Sequence, residues 1–74
     1  MKAQKETMNK IVIDGKKIYL SKYHKVENAL SSLTQYRKPA RVVMGDYDDP
    51  WGGFWVCRPS DATRLERAGY EIIG

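Results

Sequence analysis

From Lys10 to Leu20 apolar and polar residues alternate around an Asp14-Gly15 pair, with Lys-Ile-Val-Ile before it and Lys-Lys-Ile-Tyr-Leu after it. Period-two alternation is the strand signature, and Asp-Gly suits a two-residue turn in which both residues adopt positive φ. The spacing predicts a hairpin with Ile11 opposite Ile18 and Ile13 opposite Lys16. Ile11, Ile13, Ile18 and Leu20 then share one face; Lys10, Val12, Lys17 and Tyr19 share the other. Further on the period lengthens: Val26, Ala29, Leu30, Leu33 and Tyr36 fall on one helical stripe. That stripe predicts a helix over 22–36, with Ser21 as its N-cap and Pro39 helping to end it.

Arg41-Val42-Val43-Met44 and Phe54-Trp55-Val56-Cys57 read as a second pair of strands, joined by the nine residues 45–53. A second helix opens at Pro59-Ser60-Asp61, with Ser60 as N-cap and Ala62, Leu65 and Ala68 as its apolar stripe. Gly69 is placed to cap its C-terminus, and Tyr70-Glu71-Ile72-Ile73 to add a last strand. Residues 1–9 show no period and read as a flexible N-terminal tail, in which Met8 is an alternative start. The expected architecture is one small α+β domain over 10–74, ordered ββαββα(β). Its sheet is mostly antiparallel with both helices packed on one face, leaving the other face open for Tyr19 and part of the second hairpin.

Composition narrows this picture. Seventy-four residues are enough for one domain with a thin core. A single cysteine, Cys57, cannot close an internal disulfide. There is no apolar run long enough for a membrane span and no apolar signal core near the start, so the expected location is cytoplasmic. Charge adds an asymmetry that the formal +4 hides. Residues 1–43 hold ten basic and three acidic groups (+7), and residues 44–74 hold three basic and six acidic ones (−3).

Candidate chemistry is sparse. One Cys and one His do not make a zinc finger. Asp46, Asp48 and Asp49 offer oxygens, but Pro50, Trp51 and Cys57 stand where a calcium loop of the EF-hand type needs a ligand, a glycine and a glutamate. Cys57 sits in an apolar strand, His24 lies beside Lys25, and Gly52-Gly53 leads into a strand rather than a helix. No metal, cofactor or catalytic residue is therefore assigned, and the expectation is a protein that is not an enzyme.

Two binding surfaces remain. The 45–53 connection is long for a hairpin and carries Asp46, Tyr47, Asp48, Asp49 and Trp51, with Trp55 just beyond it. An aromatic anchor ringed by carboxylates suits a protein partner, since aromatics concentrate binding energy at interfaces. Lys16, Lys17, Lys22, Lys25, Arg37, Lys38 and Arg41 form a basic second surface, suited either to the same protein partner or to phosphates. The element order from residue 16 to 73 also resembles that of an RNA-recognition motif. Ile18-Tyr19-Leu20 looks like the start of that family's first-strand motif, and Gly53-Phe54-Trp55-Val56 like part of its third-strand motif. The resemblance implies base stacking on sheet aromatics; Trp55 in place of a small residue and Gly52 in place of a basic one depart from it. The leading expectation is a small regulator or inhibitor, similar in size to those of bacteria and phages, that occupies a surface of a larger protein. A nucleic-acid-binding domain is the alternative. Oligomeric state has no signature in the chain.

Overall fold

The computed structural model describes residues 9–74, so the proposed tail lies outside the described residues except for Asn9. Asn9 belongs to the first hairpin, its carbonyl accepting the Leu20 N–H at 3.0 Å. Strands β1 (Lys10–Ile13) and β2 (Lys16–Tyr19) pair in the expected register, Ile11 opposite Ile18 and Ile13 opposite Lys16. Asp14 and Gly15 turn the chain at φ of 50° and 77°. Ile11, Ile18 and Leu20 are buried, while Val12 and Tyr19 face solvent.

After Leu20 the chain leaves the hairpin and joins a second sheet. Ser21–Tyr23 form β3, which pairs with β5 (Phe54–Cys57) through Ser21 with Val56, Lys22 with Trp55 and Tyr23 with Phe54. β4 (Arg41–Met44) pairs with β5 on its other side, and β6 (Glu71–Ile72) pairs with β4. All pairings are antiparallel, and the four-stranded order is β3-β5-β4-β6.

The first helix is shorter than its stripe suggested. α1 spans Val26–Ser32 and tightens into a 3-10 turn over Leu33–Gln35. Ser21 is not its N-cap, because Ser21 to Tyr23 hydrogen-bond as a strand; Lys25 takes that place in extended conformation, without a side-chain bond. Two hydroxyls mark its far end: Ser32 Oγ donates to the Ala29 carbonyl at 2.7 Å and Thr34 Oγ1 to that of Ser31 at 2.9 Å. Such back-bonding serves the backbone outside a regular helix equally well, which is why Ser and Thr favour helix ends.

The N-cap of α2 (Pro59–Arg67) lies two residues earlier than expected, at Arg58 rather than Ser60, with Pro59 at the first helical position, where its missing N–H costs nothing. Ser60 is therefore inside the helix. Its C-terminus closes as predicted: Gly69 N–H donates to Glu66 and Tyr70 N–H to Leu65, the paired bonds of a Schellman cap.

The α+β class agrees with the sequence reading and the element order does so roughly, strand β3 being added before α1, but the helices do not share a face. One core joins Val43, Trp55 and Cys57 of the sheet to Ala62 and Leu65 of α2 and to Ile11, Ile18 and Leu20 of the hairpin. The other joins Val42 and Val56 to Ala29 of α1, with Tyr23, Leu33, Phe54 and Ile73 around them. Neighbouring residues of β4 and β5 thus point into different cores, and both sheet faces are covered. This explains why Val42-Val43 and Trp55-Val56-Cys57 are continuous apolar runs: strands covered on both faces lose their polar alternation. No helix among the described residues is long and apolar enough to cross a membrane.

Candidate functional site

The β4–β5 connection is folded by its own hydrogen bonds. Gly45 N–H donates to Gly53 O at 2.7 Å across its base. Within it, Asp49 N–H donates to Asp46 O and Gly52 N–H to Asp49 O, both at 3.1 Å, making successive turns. Gly45 lies against the Trp55 ring, and Gly52, at φ 124°, against the Tyr23 backbone, so a side chain fits at neither position.

At its centre is a buried ion pair. Lys22 Nζ lies 2.7 Å from Asp49 Oδ2, both side chains being sealed from solvent. Asp49 Oδ1 also accepts the Trp51 N–H at 2.8 Å. The ammonium sits 5.3 Å from the centroid of the Trp51 ring and 5.5 Å from that of Trp55, within cation–π range of both. Trp55 Nε1 donates to Gly52 O at 3.0 Å, and its ring packs at 5.2 Å on Tyr70. The Tyr70 hydroxyl in turn donates to Asp46 Oδ1 at 3.2 Å. A network of bonds from β3, β5 and Tyr70, just past the cap of α2, therefore holds the loop against the sheet.

This geometry divides the residues expected to meet a partner. Asp49 and Trp55 are buried and occupied, and Asp46 is half-buried under Tyr70, so these three serve the loop's own fold. Lys22 leaves the basic surface, because Asp49 draws its ammonium inside. What stays outside is Tyr47 at 97% exposure, Asp48, and Trp51 at 38%. Met44, which the sequence reading passed over, joins them at 44% exposure as the outward end of β4. Beside them is a concavity of about 330 Å³ lined by His24, Met44, Tyr47 and Phe54 together with the loop glycines. Its signal was only indirect: Met44 closes an apolar run, and nothing in the sequence marks it as outward.

The remaining basic residues, Lys16, Lys17, Lys25, Arg37, Lys38 and Arg41, are exposed. They do not form one patch by sequence position alone: Lys16 and Lys17 lie at the hairpin tip, whereas Arg41 Nε is turned to the Gly74 carbonyl at 2.7 Å. Base stacking on the four-stranded sheet finds no open face, since Trp55 is inside one core and Phe54 packs on the other. Tyr19 stands apart on the hairpin, exposed.

Cys57 faces the core beside α2. Burial, with the Asp61 charge adding and the Arg58 charge opposing, raises its thiol from the ordinary 9.0 to about 11. That is the opposite of an activated nucleophile. Among the described residues no group of three His, Cys, Asp or Glu side chains converges as metal ligands would. Compared with protein-family models, curated proteins and solved structures, the chain matches none.

Proposed function

We propose that the protein is a non-enzymatic binding module, a regulator or inhibitor in the cytoplasm that occupies a surface of a larger protein through the Tyr47 face. The observation that carries this reading is the contrast within one loop. Its base and centre are fixed by a buried ion pair and stacked aromatics, yet Tyr47 projects almost wholly into water. On a backbone already ordered, an aromatic side chain has only its own two torsions left to fix on binding. Met44 and Trp51 extend the apolar contact, Asp48 supplies a rim charge, and the adjoining concavity receives a side chain in return. The exposed basic residues add a second contact and steer approach to an acidic partner surface.

The test is affinity capture from the source cells with wild-type protein and Tyr47→Ala, each with and without nuclease, followed by titration of the captured protein. Tyr47→Ala should weaken binding about 30-fold, the effect of removing an interface hot spot, and leave the circular dichroism spectrum unchanged. Equal affinity of the two proteins would overturn the reading.

A further inference from the structure

A second groove lies at the opposite end of β5 and is independent of the Tyr47 face. It forms where β2 and β3 part company. Ser21 still pairs with Val56, but Leu20 and Tyr19 go with the hairpin while Cys57 and Arg58 turn toward α2. The segment after the 3-10 turn closes the gap from the α1 side, Tyr36 donating its hydroxyl to Ser21 Oγ at 3.2 Å. The resulting groove has a volume of about 370 Å³, inside the ~300–1,000 Å³ range of ligand sites.

Its lining has a distinct chemistry. Tyr19 and Tyr36 both line it, and as whole residues they are 64% and 39% exposed. Lys38 and Arg58 line the groove with them, and no Asp or Glu does. The carboxylate nearest in contact, Asp61, lies 3.3 Å from Arg58 Nε, but it is itself buried and also engaged by Arg64. The hairpin face bearing Tyr19 continues through Lys10, Val12 and Lys17, since Lys10 pairs with Tyr19 and Val12 with Lys17. Exposed Arg37 adjoins Lys38 in the chain.

Two exposed rings among cations, without carboxylates, fit a ligand that is both flat and negatively charged at short intervals. An acidic peptide would meet the cations and leave the rings without flat partners. A duplex presents phosphates but keeps its bases stacked inside. Single-stranded nucleic acid offers both groups, and base–aromatic stacking tolerates any sequence. We propose that this groove binds single-stranded nucleic acid, stacking bases on Tyr19 and Tyr36 and setting phosphates against Lys38, Arg58 and Lys17.

The experiment is fluorescence anisotropy with labelled single-stranded DNA and RNA of about ten nucleotides, a length within the usual site size, and with the matching duplex. At ~50 mM salt the single strands should bind more tightly than the duplex, with affinity falling by roughly 0.7 log units per phosphate contact for each log unit of salt. Tyr19→Ala and Tyr36→Ala should each weaken binding about five- to a hundredfold. Tyr36→Phe keeps the ring and should bind like wild type, which separates stacking from loss of the Ser21 hydrogen bond. Lys17→Gln with Lys38→Gln should flatten the salt slope. Absence of binding at ~50 mM salt would overturn the proposal, as would duplex binding as tight as single-strand binding with both alanine variants behaving like wild type.

Discussion

Lys22 shows how far one residue can depart from its local context. In sequence it is one lysine in a basic stretch, and lysine is almost never fully buried unless paired. Its partner, Asp49, lies across the β4–β5 connection, and only the pairing of β3 with β5 brings the two together. The tryptophans that enclose the pair were legible as aromatic, but not as the walls of a buried charge site. Removing either charge takes from the other its ion-pair partner in a site sealed from solvent, so Lys22→Met and Asp49→Ala should each lower stability by about 3–5 kcal/mol. The combined Lys22→Met and Asp49→Asn protein removes both charges and keeps an acceptor for the Trp51 N–H. It should recover most of that loss, read as a denaturation midpoint above that of Lys22→Met alone. A midpoint at or below that of the single variant would mean that the pair is not the loop's principal fastening.

Among the elements, legibility followed locality. The first hairpin and the Gly69 cap were read to the residue because their signals lie within a few positions of one another. Helix starts were not, because a serine before an apolar stripe marks an N-cap only where the chain is free to turn there. Ser21 was already committed to a strand, and with Pro59 at the first helical position the N-cap of α2 lies at Arg58, two residues upstream of Ser60. A sequence-based reading would make Ser60→Ala costly by about 1 kcal/mol. In the structure Ser60 is an exposed first-turn residue without a capping role, so Ser60→Ala should change stability by less than about 0.5 kcal/mol. Asp61 is the residue to compare with it. Buried in the first turn of α2, it accepts from Arg58 Nε at 3.3 Å and Arg64 Nη1 at 3.2 Å. Asp61→Ala leaves the helix start without its acidic partner and should cost about 1–3 kcal/mol by urea titration.

For the whole molecule the informative departure is the placement of the helices. Periodicity gave each helix an apolar stripe but not the side of the sheet it would cover, because hydrophobic strands accept a partner on either face. The continuous apolar runs in β4 and β5 carried that information. Two covered faces leave exposed aromatics at the two ends of β5 and on the outer hairpin face, where Tyr47, Tyr36 and Tyr19 meet solvent. They also place Cys57 in the core shared by the hairpin and α2, which couples one thiol to the stability of the fold. Because burial raises its pKa from 9.0 to about 11, the unfolded chain loses this proton at lower pH than the folded protein does. The thiol's contribution is therefore complete below about pH 9 and is lost progressively as pH rises through about 11. Other groups titrate in the same range, so the measurement is a difference: unfolding free energy of wild type minus that of Cys57→Ala, across this window. That difference should shrink with rising pH, as thiolate formation favours the unfolded wild-type chain alone. Thiol-specific alkylation of native protein near pH 8 should likewise be far slower than that of free cysteine, whose thiolate fraction there is much larger. A difference that stays constant to alkaline pH would place Cys57 in a wetter setting than the core described here.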